Sequence, residues 1–186
     1  FLGLLKQYRG RRPLDGVIVA FSISDLIGQT PEARRLHGLA VRKRLKELND
    51  TLKVQVPVYV VFTKADLLEG FMEYFDDLGK VEREQVWGMT FDLQVSDQAD
   101  KLVETFDKEF DQLIQRLDGR LLGRMQAEHD PQRRAVMQGF PEQLASLKGA
   151  LHDFIGEVFA PSQYEEKSLL RGVYFSSGTQ EGTPID

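Results

Sequence analysis

Cysteine is absent from the 186 residues. That gap removes disulfides, thiolate metal sites and thiol nucleophiles together, and it is compatible with a reducing compartment. Long apolar runs are missing as well. The longest, VIVAF at 17–21 and VPVYVVF at 56–62, fall far short of the roughly 20 residues that cross a bilayer. No amino-terminal targeting signal stands at the start. The chain opens on Phe1 rather than methionine and closes on TPID, so the expectation is a piece of a longer protein, whose own membrane spans these residues do not report. Positive charge is not in excess either. With 24 basic against 29 acidic residues the net charge is −5, which gives nucleic-acid binding no electrostatic support.

Several catalytic signatures are also missing. G-x-x-x-x-G-K-[ST] occurs nowhere in these residues, so no loop here cradles phosphates and no lysine reaches them. Nor does an aspartate loop serving magnesium and a γ-phosphate precede the first strand. Nucleotide hydrolysis depends on phosphate positioning and metal, and is not expected of this chain. G-x-S-x-G is absent, which argues against a serine hydrolase. His37, His129 and His152 are scattered without ligand spacing, and His37 reads as the border of a helix stripe. Asp76-Asp77 and Glu165-Glu166 read as solvated surface.

What the chain does contain is an ordinary globular composition, 41% hydrophobic and 28% charged, long enough to bury a core without staples. Three segments read as buried strands: Val17–Ser22, Val58–Thr63 and Gly172–Ser177. Each is short, rich in β-branched or aromatic residues and poor in polar alternation, as parallel strands covered on both faces are. Each ends in small polar residues. Between the first two, Thr30 is an N-cap and Pro31 a first helical residue. Val41, Leu45, Leu48 and Leu52 then form one apolar stripe. The basic residues Arg34, Arg35, Arg42, Lys43, Arg44 and Lys46 on this helix read as a solvated face.

From Asp66 to Arg171 the periodicity is helical almost throughout. Leu102, Val103, Phe106, Phe110, Leu113, Ile114 and Leu117 make one stripe, extended by Leu121 and Met125. Pro131 opens a segment behind Asp130. Pro141 is placed at the start of another, carrying Leu144, Leu147, Leu151, Phe154, Ile155 and Val158. The expected architecture is α/β: a partial three-layer fold with a short parallel sheet of about three strands from residues 1–65 and 171–186, and a helical insertion over 66–170.

The chemistry worth weighing lies at the strand ends. Thr63-Lys64-Ala65-Asp66 follows the second strand, where open α/β sheets bind ligands. A carboxylate there accepts two hydrogen bonds from the N1–H and exocyclic amine of guanine, and a lysine stem can lie along the base while its ammonium stays wet. This resembles the Asn-Lys-x-Asp loop of P-loop GTPases, with Thr63 in place of asparagine and without that amide's reach to the base. The plain alternative is that Asp66 N-caps a helix beginning at Leu67. Ser176, Ser177 and Gly178 follow the third strand, where GTPases place a small-residue loop against the base oxygen; alone, they read as an ordinary turn. Both loops, in order after strands, are more specific than either.

RRPLDGVIVAFSISDLI, PVYVVFTKADLLEGFMEYFDDLGKVEREQVWGMTF and LLRGVYFSSGTQEGTPID together resemble the IcmF/TssM proteins of type VI secretion systems, over essentially the whole chain. The resemblance implies a large inner-membrane protein with a cytoplasmic GTPase-like region between transmembrane helices and a periplasmic portion beyond. It implies a role in the trans-envelope complex, with other membrane-complex subunits and baseplate proteins as partners. This chain matches the part following the phosphate-binding motif that some members carry and others lack. No cofactor is implied for these residues, while GTP (or ATP) with Mg2+ belongs to the longer parent. Carried over by position, Thr63, Lys64 and Asp66 match the base-reading loop and Ser176, Ser177 and Gly178 the later loop. Two readings stay open: a structural and interaction segment with an incomplete nucleotide site, or the base-recognition half of a working switch. In the GTPase arrangement, strand Val17–Ser22 has an open edge. Such an edge invites pairing, so a second copy or the amino-terminal residues are expected to cover it.

Overall fold

The computed structural model describes residues 2–9, 14–76, 78, 87–93, 99–159 and 168–178. Helix α1 (Leu2–Tyr8) precedes strand β1 (Val17–Ser22), a short helix α2 (Ile23–Gly28) and the long helix α3 (Pro31–Leu52). Strand β2 (Pro57–Thr63) follows, then a 3-10 turn at Ala65–Leu67 and helix α4 (Phe71–Phe75). Strand β3 (Trp87–Thr90), helices α5 (Ala99–Ala127), α6 (Pro131–Ser146) and α7 (Lys148–Phe159), and strand β4 (Leu169–Phe175) complete the described elements.

The sheet has the order β1-β2-β4-β3. β1, β2 and β4 run parallel, and β3 pairs antiparallel with β4. The parallel strands stand where expected, with β4 starting at Leu169 and ending at Phe175 rather than spanning Gly172–Ser177. The fourth strand makes the sheet mixed rather than wholly parallel. β3 has only four residues, and Gly88 within it lets the chain approach closely: a Cβ there would stand 2.2 Å from the Val173 carbonyl oxygen. Arg171 is an extra residue in the β2–β4 ladder, where the register slips between Val58 and Tyr59.

Side chains alternate across the strands, and the two faces differ sharply. Val58, Val60 and Phe62 of β2, Leu170, Val173 and Phe175 of β4, Met89 of β3 and Phe21 of β1 all lie in the core. Helices cover that face: Phe154 of α7 stacks on Phe21 at 4.7 Å, Phe110 of α5 meets Phe175 at 6.3 Å, and Phe140 of α6 meets Trp87 at 6.2 Å. The opposite face carries Ile18, 70% exposed, exposed Ala20, and half-buried Tyr59, Val61 and Tyr174. None of these five belongs to the core. Among the described residues the architecture is therefore two-layered, not three-layered, with helices against one face of the sheet.

The caps follow the sequence. Thr30 Oγ1 accepts from the Ala33 N–H at 3.2 Å, and Asp130 Oδ1 accepts from the Gln132 N–H at 2.8 Å, each ahead of a proline. The α3 stripe is turned slightly from expectation: Gly38, Leu45, Asn49 and Leu52 are buried while Leu48 is half-exposed. Gly38 permits the close α3–α7 approach, since a Cβ there would lie 3.0 Å from Glu157 Cβ. Arg34 is not a solvated charge. Its Nη1 donates to the Leu26 and Gln29 carbonyls at 3.1 and 2.8 Å, fastening the end of α2 to α3. Asp76 pairs with Arg133 at 2.6 Å, whereas Asp77, Glu165 and Glu166 lie outside the described residues.

Pro141 does not begin a helix. It sits inside α6, which runs on to Ser146, and the break comes between Ser146 and Lys148. Burial of Phe140, Pro141 and Leu144 against the aromatic group of Phe71, Tyr74 and Phe75 offsets the hydrogen bond that proline removes. At the other edge of the sheet, no strand among the described residues pairs with the outer side of β1. Instead of lying along that edge as a strand, α1 is a helix that packs against α3.

Candidate functional site

Because β1, β2 and β4 are parallel, their carboxyl ends open on the same side. Ser22 and Thr63 stand side by side in register, and Phe62 opposes Phe175, so Ser176 leaves the sheet beside the end of β2. β2 stops because Lys64 takes the left-handed conformation, φ 61° and ψ 40°. The chain then makes the 3-10 turn, in which the Leu67 N–H donates to the Lys64 carbonyl and the Leu68 N–H to the Ala65 carbonyl, both at 3.1 Å. Ala65 and Leu68 are buried and pin this turn to the core.

Two backbone hydrogen bonds tie the loops together. The Ser176 N–H donates to the Phe62 carbonyl at 2.9 Å, and the Ala65 N–H donates to the Ser176 carbonyl at 3.0 Å. Thr63, Asp66 and Ser176 are half-buried; Lys64, Ser177 and Gly178 are exposed. The structure thus joins the two sequence-derived loops through Ala65 and Ser176, while Ser177 and Gly178 lie further out along the chain.

Asp66 does not cap a helix. It is the middle residue of the 3-10 turn, whose N-cap position is Lys64, and α4 begins five residues after it, at Phe71 behind Gly70. The capping alternative fails because the left-handed Lys64 starts the turn at Ala65, two residues before the expected Leu67. What remains is an enclosed Asp66 Oδ1 with no hydrogen-bond partner. A buried carboxylate oxygen without a donor is costly, and it is the kind of group that a ligand N–H could satisfy.

A further pair of hydroxyls adjoins this region. Ser22 Oγ and Ser24 Oγ lie 2.6 Å apart where β1 passes into α2, and α2 packs against the 3-10 turn. Ser22 fits the small polar endings seen in the sequence. Ser24 was not singled out, although the segment FSISD places both serines at the strand terminus.

The histidines are dispersed. His37 sets its ring edge-on to Phe21 at 4.6 Å, and His152 Nδ1 lies 2.9 Å from an Asp107 carboxylate oxygen. Among the described residues no group of three or more His, Asp or Glu side chains has the arrangement of a metal site. No described helix is long and apolar enough to cross a membrane.

Residues 1–186 match the profile of the IcmF-related N-terminal domain. The chain is 52% identical over 186 residues to the type VI secretion system component TssM1 of Pseudomonas aeruginosa strain PAO1, an alignment covering 100% of this chain and 17% of that protein. No solved structure matches the chain. A full-length profile match and 52% identity across every residue settle descent: the chain belongs to the IcmF/TssM family of type VI secretion components.

Proposed function

We propose that this chain acts mainly as a structural and interaction module in assembly of a type VI secretion membrane complex, working at the cytoplasmic face of the inner membrane. The observation that carries this reading is the uncovered half of the sheet. Three parallel strands, a type normally covered on both faces, expose Ile18 and Ala20 on one face, beside an edge of β1 that no strand among the described residues pairs. The nucleotide site is incomplete in this reading, because the phosphate-binding signature lies nowhere in these residues.

The second reading, the base-recognition half of a working GTPase or ATPase switch in the longer protein, is favoured by the Ala65–Ser176 tie and the unpartnered Asp66 Oδ1. In it Thr63, Lys64 and Asp66 read the base, Ser176, Ser177 and Gly178 line its oxygen, and Mg2+ is held elsewhere.

Co-purification of the membrane-complex and baseplate proteins with the longer protein separates the two. Ile18→Lys is expected to lower recovery while Asp66→Ala leaves it unchanged; the reverse pattern overturns the assembly reading. Calorimetric titration of the chain with GTP and Mg2+ is expected to show little or no heat of binding. A micromolar constant abolished by Asp66→Ala would establish the switch reading instead.

A further inference from the structure

Two unfavourable features flank one buried residue in the turn after β2. Lys64 holds a left-handed backbone, φ 61°, that costs a side-chain-bearing residue free energy. The chain's other non-glycine residue described with positive φ, Lys53, merely closes the end of α3. Two residues after Lys64, Asp66 Oδ1 is enclosed without a donor. Between them Ala65, 0% exposed, is locked into the core.

These features are mechanically linked. The ψ angle of Lys64 orients the Lys64–Ala65 peptide, and the N–H of that peptide is the group that donates to the Ser176 carbonyl at 3.0 Å. Lys64 therefore cannot relax to the extended region without swinging the Ala65 N–H away from Ser176. A 3-10 turn freed from Ser176 can rotate and carry the Asp66 carboxylate to water, which would remove the second cost. The tie to Ser176 is what holds both costs in place, as strained local geometry persists only where its surroundings over-determine it.

We propose that Lys64–Asp66 is a two-state latch on the loop after β4. In the closed state Lys64 is left-handed, Ala65 is bonded to Ser176 and Asp66 Oδ1 is sequestered. In the open state Lys64 is extended, the Ala65–Ser176 bond and the Ser176 N–H bond to the Phe62 carbonyl are both broken, and the two loops are released together. The latch sets when the carboxyl end of the sheet is accessible, whichever ligand or protein meets it, and it does not rest on nucleotide binding.

Amide hydrogen exchange on the chain tests this. The Ala65 and Ser176 amides should exchange through a shared local opening, faster than the Val60 amide in the middle of β2. Lys64→Gly removes the left-handed penalty from the closed state and should slow both amides about fivefold. Lys64→Ala keeps the penalty and should leave both rates unchanged, which separates backbone strain from loss of the lysine charge. Asp66→Ala removes the sequestered oxygen and should slow both. Exchange of Ala65 only at the rate of Val60 would overturn the latch without any variant. So would unchanged or faster exchange in Lys64→Gly, or slowing of one amide without the other. Lys64→Asn, which tolerates the left-handed region, gives an independent check on the direction.

Discussion

Tyr74 provides a measurable link between the loop-bearing segment and the helical layer. Its side chain is 1% exposed, its hydroxyl donates to the Leu117 carbonyl of α5 at 2.7 Å, and the Arg124 guanidinium lies 4.8 Å above its ring. Tyr74→Phe keeps the ring and the cation above it but deletes one hydrogen bond. Leu117 lies inside α5 and its carbonyl keeps the helical partner four residues on, so no orphaned acceptor is left. The expected loss is about 1 kcal/mol. Tyr74→Ala also empties the space the ring fills among Phe75 and Phe140, and about 3–5 kcal/mol is expected. The assay is urea unfolding followed by Trp87 fluorescence and by far-UV circular dichroism. Trp87 is the only tryptophan, and it sits on the sheet 5.2 Å from Phe75 and 5.1 Å from Phe175. The two signals should give one coincident transition, because sheet and helices share a core. Tyr74→Ala costing under about 1 kcal/mol would refute this account of the core, as would separate transitions for Trp87 and for the helices. Burial, opposed by Arg124, pushes the Tyr74 phenol above its ordinary value. The neutral phenol's contribution is thus full below the ordinary tyrosine range and lost as pH rises toward the raised folded value. The gap between wild type and Tyr74→Phe should therefore narrow in alkali.

The Glu128 carboxyl is held below its ordinary value, first by the Asp130 N–H it accepts at 2.9 Å and then by Arg133 at 2.8 Å. Its ionised form is favoured in the fold, so the contribution is complete above the unfolded carboxylate value and lost as pH falls through the depressed folded one. Thermal melts of Glu128→Gln should lie below wild type at neutral pH and converge with it in acid; a gap that widens in acid refutes the assignment. At the open edge, light scattering should find self-association of the chain at high concentration. Ile18→Lys, placing a charge on β1, should reduce it, and a wild-type mass that stays monomeric throughout would remove the second-copy reading of that edge.

β1 and β2 were legible because a run such as VYVVF has few alternatives once it is bounded by polar turns. β3 was not: WGMT is four residues long, contains a glycine, and is defined by non-local pairing to β4. A search for apolar residues finds Leu48 on α3, but the helix buries Asn49, one position on, along with Gly38, Leu45 and Leu52. That the loops after β2 and β4 adjoin was legible. The conformation of Lys64 was not, because it is fixed by a hydrogen bond between Ala65 and Ser176, 111 positions apart. Side-chain types announce where a loop belongs; its dihedral angles come from what it touches.

The missing second helical layer was the least legible feature, and the sheet itself explains how it can be missing among the described residues. On the uncovered face Tyr59 and Tyr174 stack at 6.4 Å between ring centres. Tyr174 lies across Gly172 and Tyr59 against Gly16, so close that a Cβ on either glycine would meet a ring, at 2.5 Å from the Tyr174 hydroxyl oxygen and 3.3 Å from Tyr59 Cε2. The Tyr174 hydroxyl reaches Thr90 Oγ1 at 2.8 Å. Two aromatic rings thus lie across the centre of that face, with the Tyr174 hydroxyl bonded to Thr90, which lets it meet water without a helix above it. This shielding stops at β1. Ile18, 70% exposed, and Ala20 lie on the same strand whose outer hydrogen-bonding edge has no partner among the described residues. Apolar exposure and unpaired backbone therefore coincide along one strand, so a partner docking at the β1 side satisfies both, whereas one centred over the tyrosines satisfies neither.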